Sequence, residues 1–452
     1  MKLDATRDRS GKYALHVNPA WVRLLNVLGM NTTYVRCQGS ELETADGRLV
    51  LDFLSGYCVY NMGHNHPDII AEIEDELRGL RPHMLQSHVS LLAGELAERL
   101  CDLAGRRLKK VFFTSSGSEG IETVIKFARA VTGRDGLLYC RGAFHGLTNG
   151  ALSLMGDPWW REGFGPLLPH AHEVEFGDIE ALEEKLATRR IAVFLVEPVQ
   201  AEAGIRLPPD GYLREAQALC HRHGTLFALD EVQTGLFRTG PFLAAHNDRL
   251  DPDMVVLAKA LSGGLIPTGA VLMSDAISRG IYSSLSRSFI QASTFGENNL
   301  SMRAGLATLR VLEKEKLGDR ARVLGEYMRR RLTEELGEFE MIAGVRGLGL
   351  LDGIVFRPPH GLKLRTFHAA FTRIHPGMFG QMVVSDLFRG RNILTQICGN
   401  NHMVLKAAPP LVVTKHQVDR FVGALRGCMQ AVHKGIAFWK GGLAMIPRSA
   451  RA

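Results

Sequence analysis

The sequence of 452 residues is 46% hydrophobic and 22% charged, which is typical of a globular enzyme with two or three domains. No uninterrupted apolar run reaches the roughly 18 residues of a membrane span, and residues 1–12 are too polar for a signal peptide. The net charge of +7 is spread along segments that also carry acids, which argues against nucleic-acid binding. The seven cysteines are scattered without a CxxC pair, as expected for reduced thiols, so we predict a cytoplasmic protein.

The first sixty residues are predicted to form an N-terminal lobe with a small peripheral sheet. The segment from Leu42 to Asp52 reads as two short strands around Asp46-Gly47, a dipeptide typical of hairpin turns. His64 and His66 follow in a loop rich in glycine and proline. Two histidines without a third ligand at a usable spacing are more often structural, so no metal site is predicted.

From Asp68 the pattern turns helical, and after Leu108 apolar runs alternate with helical segments. These runs contain no polar alternation, which favours the strands of a parallel sheet covered by helices on both faces. The predicted strands are Leu108 to Thr114, Gly136 to Cys140, Ile191 to Glu197, Thr225 to Asp230, Met254 to Ala258 and Ala270 to Met273. Ligands of such sheets bind beyond the carboxyl ends of the strands, so we expect the functional side chains at that edge.

Four polar residues fall at this edge, namely Ser116, Glu197, Asp230 and Lys259. Lys259 follows an apolar run, where partial desolvation lowers the pKa of an amine and favours a Schiff-base nucleophile. Taken alone, a lysine that extends from a buried strand to solvent is the more common arrangement. Asp230 ends the preceding buried strand, however, and a pyridine cofactor needs a lysine for the imine and an acid to keep the ring nitrogen protonated. The pair therefore predicts pyridoxal phosphate chemistry.

The segment Ser115–Glu119 ends one predicted strand and opens a helix. Free backbone N–H groups and the helix dipole make an anion site at such a position, and a phosphate group is the obvious occupant. An ordinary serine N-cap is the alternative.

After about Leu324 the periodicity changes again and indicates a second, smaller domain. Ala343 to Gly353 reads as strand, turn and strand, and another strand is predicted from His402 to Lys406. The basic end of the chain, residues 430–452, gathers apolar residues and contains no acid. We favour packing of this tail on the second domain or on a partner chain; the alternative is contact with an anionic membrane surface. The Gly441-Gly442 pair argues against one continuous amphipathic helix there.

Several ordered motifs extend from about Leu51 to Val413: Ser115–Glu119, Phe144–Gly146, Val196–Gln200, Leu229–Gly240, the segment around Lys259, and Ser293–Gly296. This series resembles the class III (ornithine/4-aminobutyrate type) aminotransferases of pyridoxal phosphate fold type I. The resemblance implies an α/β fold, with a large domain whose mostly parallel sheet is covered by helices and a smaller α+β domain built from both chain ends. We accordingly expect residues 1–60 and 326–452 in the small domain and residues 61–325 in the large cofactor-binding domain.

The resemblance also implies a cofactor site that consists of Gly117, Ser118, Phe144, Glu197, Asp230, Gln233, Lys259 and Thr294. Gly117 and Ser118 would bind the phosphate, and Phe144 would stack on the pyridine face. Asp230 would pair with the ring nitrogen, Gln233 would reach the ring hydroxyl, and Lys259 and Asp230 would be the catalytic residues. Thr294 would contact the phosphate of the neighbouring subunit, which implies a homodimer with shared active sites.

Two positions for substrate recognition depart from the family pattern. Glu202 occupies the position of a glutamate that in the family gates an arginine for the substrate α-carboxylate. The position of that arginine is Lys406 in this sequence. A lysine keeps the positive charge but lacks the bidentate fork, which puts recognition of ordinary α-amino acids in question for one half-reaction.

The resemblance implies transamination between an amine or ω-amino donor and a keto acid or aldehyde by a ping-pong mechanism. The alternatives are an aminomutase, a racemase or a decarboxylase of the same fold, a pyridoxal-phosphate-dependent lyase, and a non-catalytic scaffold. An aminotransferase that acts on a lipidic, hopanoid-type carbonyl is a further alternative. The intact pair of Lys259 and Asp230 argues against the scaffold.

Overall fold

The computed structural model of the protein describes residues 5–85, 87–443 and 445, with side chains described from residue 10 onward. These residues form fifteen strands, β1 to β15 in chain order, which span Tyr34–Gln38, Glu41–Thr44, Leu49–Asp52, Leu108–Thr114, Gly136–Cys140, Ala171–Val174, Ile191–Val196, Leu226–Asp230, Met254–Leu257, Gly269–Ser274, Ile342–Leu348, Leu351–Phe356, Ile393–Leu394, Gln396–Ile397 and Val404–Ala407. The α-helices span Ala5–His16, Pro19–Leu28, Pro67–Arg78, Leu91–Ala104, Gly117–Thr132, Asn149–Ser153, Pro158–Arg161, Ile179–Ala187, Tyr212–His223, Asp275–Ile281, Asn299–Lys314, Leu317–Leu336, Leu362–Ile374, Met378–Arg391, Lys415–Lys434 and Ile436–Leu443. Short helical turns lie at Ser55–Cys58, Ala244–His246, Lys259–Ser262 and Leu285–Arg287.

The central sheet has the strand order β4-β10-β9-β8-β7-β5-β6. Successive residues of its inner strands face opposite sides, and helices cover both sides. In β8, Leu229 packs in the core on one face and Ala228 in the core on the other. The helix Gly117–Thr132 lies on the Ala228 side, and the helix Tyr212–His223 covers the Leu229 side. Burial on both faces explains why these strands read as unbroken apolar runs.

The prediction of a mostly parallel sheet is confirmed, with one difference in strand direction. β8 is parallel to β7 and β9, whereas β10 is antiparallel to both β4 and β9. The connection from β9 to β10, residues 258–268, contains only a short helical turn. A parallel return needs a longer crossover, usually with an α-helix, so the chain returns in the opposite direction. The first residue of β10 therefore lies at the edge where β4, β8 and β9 end.

Two further sheets, with the orders β1-β2-β3-β13 and β11-β12-β15-β14, contain strands from the two ends of the chain. β13 pairs in parallel with β3, and Ile393 lies opposite Leu51. This pairing joins segments that are far apart in sequence and forms the smaller α+β part predicted from both ends. The hairpin predicted around Asp46-Gly47 is present as β2 and β3.

The described part of the C-terminal tail packs against the helices of the smaller part. Trp439 is 2% exposed and stacks on Phe367, with ring centroids 5.5 Å apart. The helix Ile436–Leu443 continues through the glycine pair, and the break that separates it from the preceding helix falls at Gly435. Residues 446–452 lie outside the described residues. No helix within the ranges 5–85 and 87–443 is long and apolar enough to cross a membrane.

Candidate functional site

A cavity of about 390 Å³ opens at the edge of the central sheet where β4, β7, β8 and β9 end. Its lining includes most of the residues predicted for the cofactor site: Gly117, Ser118, Phe144, Glu197, Asp230, Gln233 and Lys259. The strands deliver these residues from sequence positions more than a hundred residues apart. The sheet topology therefore brings the predicted residues together, with the exception of Thr294.

Lys259 begins the helical turn that follows β9, and its backbone adopts a left-handed conformation with φ +48°. The residue is half-buried and its side chain lines the cavity. Burial lowers the pKa of the Lys259 amine, and nearby carboxylates do not overcome this effect. No ion pair holds the amine among the residues that the structure describes. The amine is therefore available as a nucleophile and as a base.

Asp230 is the last residue of β8, and a histidine fixes its carboxylate. Its Oδ2 lies 2.8 Å from Nδ1 of His145, and its Oδ1 accepts a hydrogen bond of 3.0 Å from the backbone N–H of Val232. His145 is buried, and its contact with Asp230 was not predicted because 85 residues separate the two. Its position between Phe144 and Gly146 in a predicted motif was the only available signal. The histidine orients a carboxylate into the cavity.

The helix Gly117–Thr132 also begins at the cavity, which Gly117 and Ser118 line. Ser116 is its N-cap, and the Ser116 hydroxyl accepts a hydrogen bond of 3.3 Å from the N–H of Glu119. The first N–H groups of a helix have no intrahelical acceptor, so an anion can bind there. Two glycines keep this end open: a Cβ on Gly117 would lie 2.9 Å from Val232, and a Cβ on Gly146 would lie 2.1 Å from the Ser118 hydroxyl.

Phe144 and Glu197 form one wall of the cavity. The backbone N–H of Phe144 donates a hydrogen bond of 3.1 Å to Glu197 Oε1, and the Phe144 ring contacts the edge of Trp160 at 5.4 Å. Burial, together with the charge of Asp230, raises the pKa of Glu197 well above its ordinary value. The carboxyl group of Glu197 thus supports the Phe144 loop next to Asp230.

The residues present fit pyridoxal phosphate. Three buried polar atoms on cavity-lining residues, His145 Nε2, Gln233 Oε1 and Thr268 Oγ1, have no hydrogen-bond partner among the described residues. Buried polar atoms are normally paired, so unpaired ones in a cavity indicate a polar ligand. Lys259, Asp230 and the start of the helix Gly117–Thr132 supply the amine, the acid and the anion site that the cofactor needs. Gln233, which the resemblance assigns to the ring hydroxyl, supplies one of these unpaired atoms.

Glu202 and Lys406 form a buried ion pair outside the lining of the cavity. Lys406 is fully buried, and its Nζ donates to Glu202 Oε1 and also lies 4.8 Å from the centre of the Tyr57 ring. Gln233 Nε2 donates a second hydrogen bond of 3.2 Å to Glu202 Oε1. Burial alone would lower the pKa of Lys406, but the charge and the hydrogen bond of Glu202, together with smaller contributions from neighbouring groups, raise that pKa. Burial alone would likewise raise the pKa of Glu202, but the charge and the hydrogen bond of Lys406, together with the Gly399 N–H and the charge of Lys259, lower it.

A hairpin tip between β14 and β15 closes this ion pair from the side of the small domain. The backbone N–H of Gly399 donates a hydrogen bond of 2.9 Å to Glu202 Oε2. Asn400 Nδ2 donates to the carbonyl oxygen of Gly142 at 2.9 Å, and Trp160 Nε1 donates to Asn400 Oδ1 at 2.8 Å. Donors therefore surround both oxygens of the Glu202 carboxylate, which holds the pair in its closed arrangement.

Three other sequence predictions concern residues away from the cavity. Thr294 is exposed and does not line the cavity of its own chain. His64 lies 2.8 Å from Asp52, and His66 lies 3.0 Å from Glu315. Both histidines thus have structural partners. Within the described residues, no group of three or more His, Cys, Asp or Glu side chains could hold a metal ion.

The comparisons with known proteins agree with this geometry. The family model described as "Aminotransferase class-III" matches residues 26–429. "Aminotransferase PigE" of Serratia sp. (strain ATCC 39006) is 36% identical, and the alignment covers 93% of this chain and 53% of that protein, so the chain spans about half of its length. "Putrescine aminotransferase" of Pectobacterium atrosepticum is 36% identical over 84% of this chain and 78% of that protein.

A solved structure is similar to this chain over most of its length. It is the ornithine aminotransferase from Toxoplasma gondii with partial occupancy of pyridoxal phosphate at its active site, and it has a TM-score of 0.80 and 28% sequence identity. The similarity covers 89% of this chain and 91% of the Toxoplasma chain. The family match over residues 26–429, the identity to these aminotransferases and the similarity of the folds lead to one conclusion. The chain belongs to the class-III aminotransferases, enzymes that transfer an amino group with pyridoxal phosphate as cofactor.

Proposed function

We propose that the amino donor of this enzyme is a primary amine or an ω-amine, in which the carbon that bears the reacting amino group carries no carboxylate. The acceptor is a keto acid or an aldehyde. The closed ion pair between Lys406 and Glu202 is the observation that carries this proposal. The name of the putrescine aminotransferase, a relative that acts on a diamine, supports it.

The charges around the cavity support the same donor class. An α-carboxylate beside the reacting carbon would need a cation, because a buried carboxylate without a partner is strongly unfavourable. Lys406 is fully buried, and Glu202 neutralises its charge. Among the described residues that line the cavity, Lys259 is the one lysine and no arginine is present. An amine without a carboxylate binds there while the ion pair stays closed, whereas a keto acid needs the pair to open.

The side chains divide the chemical work between them. Pyridoxal phosphate, when bound, supplies an electron sink for the donor carbon that loses a proton. Lys259 acts as the general base and acid that moves this proton between the donor carbon and C4′ of the cofactor. Asp230, which His145 holds in place, would pair with the ring nitrogen of the cofactor. Gly117 and Ser118 would bind the phosphate, Phe144 would pack on the ring, and Gln233 would hydrogen-bond to the ring hydroxyl, while Glu197 would support the Phe144 loop.

A panel of donors tests the proposed donor class. We expect putrescine and a simple primary amine to convert the bound cofactor in a single turnover at least about ten-fold faster than L-glutamate or L-alanine. Lys406→Arg introduces a guanidinium group, which binds a carboxylate through two parallel hydrogen bonds, so this variant should gain activity with the α-amino acids. Equal single-turnover rates of the unaltered enzyme with L-glutamate and with putrescine would contradict the proposal.

We also propose that the enzyme works as a homodimer with shared sites. Thr294 lies on an exposed segment that carries large apolar side chains, including Phe289 and Phe295, which are 76% and 58% exposed. A second copy that covers this segment would bury these side chains and bring Thr294 to the cavity of its partner. Each site would then take Lys259 from one chain and Thr294 from the other. A hybrid dimer of the variants Lys259→Ala and Thr294→Val would have one site with both residues intact, so mixing the two variants should restore activity. Mixed protein without recovered activity would contradict a shared site.

Two coarser proposals concern the domains and the location. We propose that residues 1–60 and 326–452 form the small domain and residues 61–325 the large one; the helix Leu317–Leu336 spans the second boundary. We propose a cytoplasmic location because all seven cysteines are free thiols, as is usual in a reducing compartment. Limited proteolysis tests the boundaries, and fractionation of cells tests the location.

A further inference from the structure

A threonine hydroxyl at the cavity lacks a partner. Thr268 is 4% exposed, and its Oγ1 makes no hydrogen bond within the described part of the chain. The residue lines the same cavity as Ser115, Gly117 and Ser118. An unpaired buried hydroxyl is unfavourable, and native proteins rarely keep one without a reason. A polar group of a ligand is therefore the expected partner of this hydroxyl.

The register of β10 and β4 places Thr268 at the phosphate end of the cavity. Gly269, the first residue of β10, pairs with Thr114, the last residue of β4. A Cβ on Gly269 would lie 2.5 Å from Thr114 Oγ1 and 2.9 Å from the carbonyl oxygen of Ser116. The two strands are antiparallel, so Thr268, one residue before Gly269, lies opposite Ser115, one residue after Thr114. The threonine thus lies beside the start of the helix Gly117–Thr132.

The order of the strands separates Thr268 from the ring-nitrogen end of the cavity. β10 is next to β4, whereas β8, which carries Asp230, is two strands away on the other side. With neighbouring strands about 4.8 Å apart, the start of β10 lies on the order of 10 Å from the end of β8. The hydroxyl is therefore placed for the phosphate and not for the ring nitrogen.

The backbone before Thr268 is held from two directions. Ser301 Oγ donates a hydrogen bond of 3.1 Å to the carbonyl oxygen of Pro267, and Ser301 belongs to the helix Asn299–Lys314. Ser262, at the end of the turn that begins with Lys259, donates to the carbonyl oxygen of Ile266. These two anchors fix the hydroxyl in advance, and binding to a preorganised donor costs little conformational entropy.

We propose that Thr268 is an additional cofactor-binding residue, whose hydroxyl donates a hydrogen bond to the phosphate of pyridoxal phosphate. This hydroxyl, just before β10, acts together with the backbone N–H groups of Gly117 and Ser118, which follow the neighbouring strand β4. The inference deepens the assignment of the cofactor site and does not depend on the donor class proposed above.

The test compares two ligands that differ in the phosphate alone. Apoenzyme of the Thr268→Val variant, which keeps the shape of the side chain and removes the hydroxyl, is titrated with pyridoxal phosphate and with pyridoxal, and Kd is read from absorbance. We expect the Kd for pyridoxal phosphate to rise roughly ten-fold or more, because hydrogen bonds to charged groups are strong. The Kd for pyridoxal should not change, and Thr268→Ser should retain tight binding of pyridoxal phosphate.

Thr308 supplies a matched control. Its hydroxyl is also buried and lacks a partner among the described residues, but it does not line the cavity. Both Thr→Val apoenzymes should melt at or above the temperature of the unaltered apoenzyme, and Thr308→Val should bind both ligands normally. Normal binding of pyridoxal phosphate by Thr268→Val would overturn the proposal. A loss that is equal for pyridoxal, or is shared by Thr308→Val, would overturn it as well.

Discussion

Two lysines lie on different sides of the site, and their surroundings shift their pKa values in opposite directions. Lys259 lines the cavity and has no carboxylate partner within the part of the chain that the structure describes, and burial lowers its pKa. Lys406 is more completely buried, yet Glu202 raises its pKa. The comparison teaches that a bound counter-charge, more than burial, decides whether a lysine is a nucleophile or a fixed cation. The two roles follow from Glu202, which forms a direct ion pair with Lys406, whereas its charge acts on Lys259 without such a pair and does not overcome burial.

The largest effect expected from this comparison is on turnover. Lys259→Met should abolish single-turnover conversion of the cofactor by putrescine, with a loss of roughly 10³-fold or more, because both the nucleophile and the proton carrier are gone. Lys406→Met should retain this amine half-reaction within about ten-fold, since Lys406 does not line the cavity. Absorbance after rapid mixing measures both rates. Equal losses in the two variants would remove the distinction between the lysines.

A second pair of variants tests whether Asp230 or Glu197 supplies the negative charge at the ring nitrogen of the cofactor. Asp230→Asn should slow removal of the donor proton by roughly 10²- to 10³-fold, because the negative charge at the ring nitrogen is lost. Glu197→Gln should cost only a few-fold, since burial and the charge of Asp230 already raise the pKa of Glu197. Single-turnover rates at matched cofactor content distinguish the two. A larger loss in Glu197→Gln would reverse the assignment.

The two lysines should also have opposite effects on the stability of the apoenzyme. Lys406→Met leaves Glu202 as a buried charge without its partner, so the free energy of unfolding should fall by about 3–5 kcal/mol. Lys259→Met removes an amine that burial disfavours, so the free energy of unfolding at neutral pH should rise or stay the same. Denaturant titration of the two apoenzymes measures both changes. A drop in stability of similar size for Lys259→Met would show that this amine is paired.

The dependence of stability on pH gives the smallest and most specific effect. The folded pKa of Glu202 is lowered from 4.5 and that of Lys406 is raised from 10.5, so the pair stabilises the fold between these values. Its contribution disappears as pH falls through the folded pKa of Glu202 or rises through that of Lys406. The pKa of Lys259 is lowered from 10.5, so the unaltered apoenzyme should lose stability relative to Lys259→Met as pH falls. Urea titrations from pH 5 to pH 10 measure the difference in unfolding free energy between Lys259→Met and the unaltered apoenzyme. We expect this difference to widen as pH falls, and a difference that widens as pH rises would contradict the prediction.

The sequence predicted the strands of the central sheet where both faces are buried. Gly136–Cys140, which is buried along its whole length, has the predicted bounds, because an unbroken apolar run is sufficient evidence for such a strand. Leu108–Thr114 has the predicted bounds too, although its Lys109 and Lys110 are exposed. β6, Ala171–Val174, was not predicted, since this edge strand is short and contains His172 and Glu173. The antiparallel direction of β10 was not predicted either, because direction depends on the connection between strands and not on their composition.

At the site, the sequence identified residues but not their partners. Lys259 and Asp230 were predicted from their positions at strand ends, and Glu202 and Lys406 from the departures in the motifs. The contact between His145 and Asp230 depends on how β8 meets a loop 85 residues earlier, which no local pattern encodes. The unpaired hydroxyl of Thr268 is equally invisible in the sequence, because only the packed structure shows that it lacks a protein partner.

Reduction of the holoenzyme with borohydride, followed by peptide mapping, tests the central claim most directly. The reagent fixes the cofactor to the lysine that holds it, so the position of the pyridoxyl group identifies that lysine. We predict the label on Lys259 in the unaltered enzyme and in Lys406→Met, and no label at this site in Lys259→Met. A pyridoxyl group on Lys406 or on another lysine of the unaltered enzyme would contradict the account.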